Sequence, residues 1–161
     1  MALDLAYRLS RRGLLVLGWL LKHGACEPSE IARSLGLDAS EVMEALRELA
    51  EKGVVGESYG IYYALPAPEN LLLKLSLGLR VSEEEYRECI EYLLDKAFLE
   101  KTGVSKAEYE RTDPRGYKRM AFELLAEVED RYRRELTELR RRLVEEHAND
   151  RGGEEELAAK E

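Results

Sequence analysis

The fold of this chain is decided by residues 26–65, CEPSEIARSLGLDASEVMEALRELAEKGVVGESYGIYYAL. Pro28 suits the first position of a helix, where its missing N–H does no harm, and Gly36 ends that helix about two turns later. Asp38 then begins another helix, and Asp38-x-x-Glu41 resembles a capping box. Apolar residues recur in this helix at helical spacing, which predicts a buried face: Val42, Ala45, Leu46 and Leu49.

Two short strands follow these helices. Residues 54–57 and 61–65 are rich in Val, Ile and Tyr and are joined around Ser58-Tyr59-Gly60, as in a hairpin. Upstream, residues 1–10 predict a short helix, and Ser10 is a candidate N-cap for a helix over residues 11–22. The order predicts a mainly α fold that begins with a winged helix-turn-helix domain of three helices and a two-stranded wing, residues 1–66.

Residues 28–55, PSEIARSLGLDASEVMEALRELAEKGVV, resemble the winged-helix regulators of bacteria and archaea, in the broad MarR-like and TrmB-like manner. The resemblance covers about 45 residues. It implies that the third helix enters the DNA major groove, that the wing touches the flanking backbone, and that C-terminal helices pair two copies into a homodimer. Winged helices also serve as protein-binding modules, so a protein partner of the third helix stays open.

The rest of the chain predicts a helical hairpin, residues 69–147, followed by a disordered acidic tail, residues 148–161. Ser82-x-x-Glu85 is a capping box, and Asp113-Pro114 begins a long helix over residues 114–147. Its apolar residues are spaced by three and four, which favours packing along the whole helix. The residues predicted for dimerisation are Leu125, Val128, Tyr132, Leu136, Leu139 and Leu143.

The surface predicted to bind double-stranded DNA is more acidic than such surfaces usually are. Residues 1–68 hold seven Lys and Arg against nine Asp and Glu, a net charge of −2, and residues 56–60 of the wing hold no Lys or Arg. Four acidic residues are predicted on the exposed side of the third helix: Glu41, Glu44, Glu48 and Glu51. The candidate DNA-binding residues are Arg11, Arg12, Ser29, Arg33, Ser40, Met43, Glu44, Arg47 and Tyr59.

A second basic cluster lies in residues 131–142. Its arginines follow acidic residues at a spacing of four, for example Glu127 and Arg131 or Glu138 and Arg142. Glu before Arg at this spacing favours pairing within one helix. We favour this interpretation over a second nucleic-acid or acidic-partner contact.

Composition opposes several other classes of protein. The net charge of −8 opposes non-specific coating of nucleic acid. His23-x-x-Cys26 is half a metal site with no second pair, and the two cysteines suit small apolar roles, so we expect no enzyme, metal or cofactor. No leader or membrane span is evident, which predicts a cytoplasmic protein. The absence of Gln and the abundance of Glu and Arg resemble thermophile composition and would fit an archaeal source.

Three hypotheses follow from these patterns. The first is a homodimeric winged-helix transcriptional regulator that binds DNA. The second is a winged-helix adaptor in a nucleic-acid-processing or membrane-remodelling complex, whose acidic third helix faces another protein. The third is a sensor whose C-terminal helices bind a small molecule.

Overall fold

A computed structural model describes the backbone of residues 8–160 and the side chains of residues 8–146. The chain divides into two compact units, with the boundary between Arg80 and Val81. The predicted helix over residues 1–10 lies mostly outside the described residues. The first unit contains α1 (Arg11–His23), α2 (Pro28–Leu35), α3 (Ala39–Glu51), β1 (Val55–Ser58), β2 (Ile61–Ala64) and α4 (Pro68–Ser76).

The core of the first unit forms where α1 crosses α3. Val16 and Leu17 of α1 are fully buried, and so are Leu46 and Leu49 of α3. Ile31 of α2 joins the same cluster. Complete burial of such a side chain contributes about 1.5–3 kcal/mol, so this cluster holds the three helices together. The predicted winged helix-turn-helix fold is confirmed.

The wing is an antiparallel hairpin in which Ser58 pairs with Ile61. Its turn contains only Tyr59 and Gly60, with φ of 52° and 80°. Two successive positive φ values are typical of a type I′ turn, which matches the twist of the strands. Backbone hydrogen bonds in both directions also join Tyr62 to Cys26, at 3.0 and 2.9 Å. This bridge fixes the wing to the connection between α1 and α2, and the sequence did not predict it.

Helix α4 packs with the first unit, although it follows the predicted domain end at residue 66. Leu73 belongs to the core cluster of that unit. The fully buried Asn70 donates hydrogen bonds from Nδ2 to the carbonyls of Val54 and Leu65, both at 2.8 Å. The contacts therefore place the compact unit's end at Arg80. The functional boundaries 1–66 and 69–147 stay predictions.

The second unit is helical throughout its described residues. Phe98 is fully buried at its centre. The ring of Phe98 lies 5.6 Å from that of Tyr117 and 5.4 Å from that of Tyr109, between centroids. Its elements are α5 (Glu83–Thr102), α6 (Lys106–Thr112), α7 (Pro114–Arg131) and α8 (Arg133–Lys160).

Local capping predictions give mixed results. Ser82 forms the predicted capping box with Glu85. Ser10 caps α1 by accepting a hydrogen bond from the N–H of Gly13. The capping box at Asp38 is wrong, because the Asp38 side chain makes no capping hydrogen bond and only its backbone carbonyl bonds to the N–H of Val42.

The prediction of one long helix over residues 114–147 is wrong. The helix breaks at Tyr132, whose φ and ψ are −109° and 28°. Arg140 Nη2 lies 3.7 Å from Glu129 Oε1, although eleven residues of straight helix span about 16 Å. The break buries Leu136 and Leu139 completely. No Pro or Gly marks this position, so local sequence does not signal the bend.

The acidic tail also differs from prediction. The structure continues α8 through residues 148–160, where it describes the backbone alone, while Glu161 lies outside the described residues. Residues 154–160 are Glu, Leu, Ala and Lys, all strong helix formers, which accounts for helix beyond Gly152-Gly153. Among the described helices, none is long and apolar enough to cross a membrane.

Candidate nucleic-acid interface

The outward face of α3 is the first part of the candidate interface. Val42, Leu46 and Leu49 anchor the helix in the core. Ser40 and Arg47 project on the opposite side and are exposed. Exposed residues of this face are those that reading the major groove requires, and the structure places them as helical spacing predicts. Met43, Glu44 and Glu51 are exposed as well.

Glu48 is turned back into the fold rather than outward. Its carboxylate accepts hydrogen bonds from the N–H and the hydroxyl of Ser10, each at 2.6 Å. The carboxylate thereby holds the beginning of α1, where negative charge also complements the helix dipole. The sequence analysis missed this role because the two residues are 38 positions apart. One of the four acidic residues is therefore structural.

Arg12 is engaged by α3, which alters its predicted role. Its Nε lies 3.3 Å from Glu41 Oε2, and its Nη1 lies 3.8 Å from Glu44 Oε2. Glu41 is half-buried, whereas the Glu44 side chain is 73% exposed. Arg12 thus neutralises part of the acidic face of α3.

Three other predicted arginines remain exposed. Arg11 is the first residue of α1, Arg33 lies in the last turn of α2, and Arg47 lies on α3. Across the described residues, none of the three makes an ion pair. Ser29, near the beginning of α2, is exposed as well. These four side chains can donate hydrogen bonds to phosphate oxygens.

The tip of the wing presents an aromatic side chain. Tyr59 is fully exposed and has a left-handed backbone conformation, which is uncommon for a residue with a bulky side chain. Glu57, like Glu48, has a structural contact, because its Oε1 accepts a hydrogen bond of 2.6 Å from the N–H of Gly60. The Tyr63 ring covers Gly56, where an added Cβ would lie 2.7 Å from the ring. The wing therefore offers tyrosine where arginine or lysine is common.

Comparison with known families gives a match in the N-terminal part of the chain. The family described as "Sugar-specific transcriptional regulator TrmB" matches residues 6–68. This similarity covers 63 of the 161 residues, and we refer to residues 6–68 as the TrmB-type domain. The match covers α1, α2, α3 and the wing, and ends at the beginning of α4. The sequence-based resemblance is confirmed for residues 6–68, and the family's description is that of a transcriptional regulator.

A solved structure, that of T. acidophilum IdeR, is also similar to this chain. The alignment covers 77% of this chain and 54% of that chain, with 14% identity and a TM-score of 0.29. This chain thus spans about half the length of that chain. The similarity is too weak to support a structural argument. Among curated proteins, none matches the chain.

Outside the TrmB-type domain, the second basic cluster is paired with acids. Arg141 bonds to Glu138 at 2.6 Å and to Glu145 at 2.7 Å, and Arg142 lies 3.5 Å from Glu138. The hydrogen bond from Arg141 lowers the pKa of the Glu138 carboxyl and raises the pKa of the Arg141 guanidinium. Pairing within the unit is therefore the structural role of these arginines, although most partners differ from the predicted ones.

The residues predicted for dimerisation have mixed surroundings in the second unit. Val128, Leu136 and Leu139 are buried within the single chain. Leu125, Tyr132 and Leu143 are half-buried. The large apolar residues exposed in this unit are different ones: Leu99, Phe122 and Val144.

His23 and Cys26, the candidate half of a metal site, make other contacts in the structure. The His23 ring lies 3.7 Å from the Trp19 ring, and the Cys26 thiol donates to the Gly24 carbonyl at 3.3 Å. Cys26 and Cys89 are both buried, unbridged thiols. No group of potential metal ligands is present among the described residues.

Proposed function

We propose that this protein is a cytoplasmic, homodimeric transcriptional regulator that binds double-stranded DNA through its TrmB-type domain. The observation that carries the proposal is that two acidic residues of α3 are bound by side chains at the beginning of α1. Glu48 bonds to Ser10, and Glu41 pairs with Arg12. The surface offered to DNA is therefore less acidic than the sequence indicates, because these carboxylates already have partners.

Each candidate residue has a distinct role in this proposal. Arg47 and Ser40 contact base edges or phosphates in the major groove from α3, with Met43 beside them. Ser29, Arg33 and Arg11 donate to phosphates and set the position of the domain. When DNA binds, Arg12 exchanges its exposed, weak ion pair with Glu44 for a phosphate and keeps its closer contact with Glu41. Tyr59 enters the flanking minor groove or contacts its sugars.

The dimer is proposed to form through the second unit. A twofold dimer binds two half-sites about one DNA turn apart, which raises both affinity and specificity. The exposed fractions of Leu99, Phe122 and Val144 are 57%, 78% and 69%, and exposed apolar residues of this size can bind a second copy. Multi-angle light scattering tests the proposal: the native chain should have the mass of a dimer and Phe122→Glu that of a monomer. A native monomer at high micromolar concentration would contradict it.

DNA titration tests the central proposal. Fluorescence anisotropy with a pool of random duplexes should show binding at 50 mM salt that weakens steeply by 200 mM salt, because counterions are released from phosphates. Arg33→Ala and Arg47→Ala should each weaken binding by about 1–3 kcal/mol. Arg111→Ala, an exposed arginine of α6, is the matched control and should leave binding unchanged. Absence of binding at low salt would overturn the proposal.

The adaptor hypothesis is favoured by one observation, the exposure of Met43 beside Glu44 and Glu51. An apolar residue among acids suits a basic, amphipathic partner helix. If α3 faces a protein, the DNA titration gives no binding and Glu51→Lys leaves that result unchanged. If α3 reads DNA, Glu51→Lys strengthens binding by adding a phosphate contact.

A further inference from the structure

A cavity of about 510 Å³ lies within the first unit and shares Arg11 with the candidate DNA interface described above. It opens between α1 and the ends of α2 and α4. Its volume falls in the usual range of small-molecule sites, roughly 300–1,000 Å³. Six apolar side chains form its walls: Leu14, Leu15, Trp19, Leu35, Leu77 and Leu79.

Gly18 keeps this cavity open. It lies in the middle of α1, where glycine destabilises a helix relative to alanine. No close backbone approach requires it, because an added Cβ would meet only the Leu77 side chain, at 3.9 Å. Any larger side chain at this position would project into the cavity. A residue that weakens its helix while leaving room for a ligand is consistent with a binding site.

The rim of the cavity is basic in an acidic protein. Arg11, Lys22 and His23 line it together with the apolar walls, and no acidic side chain does. The chain as a whole carries a net charge of −8. Leu15 and Leu77 remain 50% and 51% exposed at the cavity. The site therefore complements a molecule with an apolar body and one negative group, and its apolar walls lack the hydrogen-bonding groups that sugar hydroxyls need.

We propose that this cavity binds an aliphatic carboxylate, with the chain along α1 against the leucines and Trp19 and the carboxylate at Arg11, at the beginning of the helix. Charge-assisted hydrogen bonds from arginine and lysine suit a carboxylate. Arg11 is also a proposed phosphate contact. A bound carboxylate withdraws this side chain from DNA and weakens DNA binding, a regulatory step that rests on the proposed function.

Trp19 is the only tryptophan of the protein, so its fluorescence reports binding directly. Titration of the full chain with decanoate, in the absence of DNA, should give a saturable change. Decanol, which lacks the charge, should bind about tenfold more weakly, in line with the strength of charge-assisted hydrogen bonds. Acetate, which lacks the apolar body, should give no change. Equal binding of decanol and decanoate would overturn the proposed role of the basic rim.

Variants locate the site. Gly18→Leu should abolish the decanoate response by filling the cavity, and Gly18→Ala should weaken it less, because it removes less space. Arg11→Met should weaken decanoate binding several-fold with no effect on decanol, whereas the exposed Arg111→Met, outside this unit, is the matched control. Circular dichroism checks that each variant is folded. Undiminished decanoate binding to folded Gly18→Leu would place the ligand elsewhere and overturn the proposal.

A separate experiment tests whether the ligand weakens DNA binding. Decanoate should raise the dissociation constant for the duplex pool several-fold in the native chain and not in Gly18→Leu. A decanoate response by fluorescence in a chain that binds no DNA would refute the proposed function and leave the ligand site standing. DNA binding without any fluorescence response would refute the ligand site alone.

Discussion

Asn70 illustrates how a single side chain ties a helix to the wing. Its two amide hydrogens bond to the carbonyls of Val54 and Leu65, and its Oδ1 has no partner among the described residues. Those carbonyls lie just before β1 and just after β2, so both are at the open end of the β-hairpin. The residue accordingly fixes the base of the wing to α4, and its amide is needed because the contact requires two donors.

Replacement of Asn70 by leucine should destabilise the protein by about 2–4 kcal/mol, because two hydrogen bonds of its buried amide are lost and, among the described residues, only the Val54 carbonyl keeps another donor, the N–H of Leu65. Asn70→Asp should destabilise it by at least as much, since it keeps the shape and removes both donors. Urea denaturation measures the change. Stability within 0.5 kcal/mol of the native chain, roughly the level of a surface substitution, would show that the two hydrogen bonds contribute little.

Tyr59 combines backbone strain with full exposure. Tyr59→Asn should stabilise the hairpin by about 1 kcal/mol, because Asn-Gly is the preferred type I′ turn. If Tyr59 contacts DNA, the same variant should bind DNA more weakly. Thermal unfolding and anisotropy measure the two effects, with Tyr63→Phe as a control on the neighbouring strand. Stabilisation without any loss of DNA affinity would exclude Tyr59 from the interface.

At the level of elements, acidic residues of α3 bind the beginning of α1. Ser10 and Arg12 of the α1 end bind Glu48 and Glu41 of α3. These contacts fix the beginning of α1 against the proposed reading helix. Two of the acidic residues of α3 therefore stabilise the packing of α1 against α3, rather than forming a surface for a binding partner.

Glu44→Gln should strengthen DNA binding, because it removes a negative charge from the interface and the longer of the two ion pairs of Arg12, which keeps its contact with Glu41. The slope of log Kobs against log salt should steepen by about 0.9 if Arg12 gains one phosphate. Glu123→Gln, an exposed residue of α7, makes the same chemical change outside the TrmB-type domain and is the control. Unchanged or weaker binding in Glu44→Gln would show that the Glu44 carboxylate does not oppose DNA binding.

The ion pairs of α8 predict a pH dependence. Because the folded-state pKa of Glu138 is lowered by Arg141, its stabilising contribution is fully present above the ordinary carboxyl pKa. The contribution is lost as pH falls through the lowered pKa. Glu138→Gln should therefore destabilise the protein near neutral pH and not at acidic pH below that range. Chemical denaturation at both pH values measures the difference, and an equal loss at both would assign the effect to packing.

At the scale of the whole molecule, the two units have separate cores. In the first unit, Leu73 and Asn70 of α4 complete a structure whose family match ends at residue 68. The compact unit thus extends about one helix beyond the end of the family match. The second unit is centred on Phe98 and buries much of the apolar stripe that could otherwise pair two copies.

A fragment of residues 1–80 should fold cooperatively, whereas residues 1–67 should be much less stable. The shorter fragment loses Leu73 from the core and the Asn70 hydrogen bonds, a combined loss of about 4–7 kcal/mol, comparable with the total stability of a small domain. Circular dichroism melts of both fragments test this. A stable fold in residues 1–67 would show that α4 is dispensable.

The sequence by itself determined the local elements of this protein. Pro28 and Gly36 bound α2, Ser82 caps α5, and the apolar spacing of α3 defines its buried face, because such signals act within a few residues. The order of these elements was sufficient to predict the winged helix. The candidate interface could be predicted only as a set of residues on exposed faces.

Tertiary structure decided which of those residues have partners. Glu48 meets Ser10 across 38 positions, Tyr62 bridges to Cys26, and the chain bends at Tyr132 without Pro or Gly. The cavity around Gly18 likewise depends on α4 reaching α1. Local sequence cannot specify such contacts, because they form between segments distant along the chain and are stabilised only when the core has assembled.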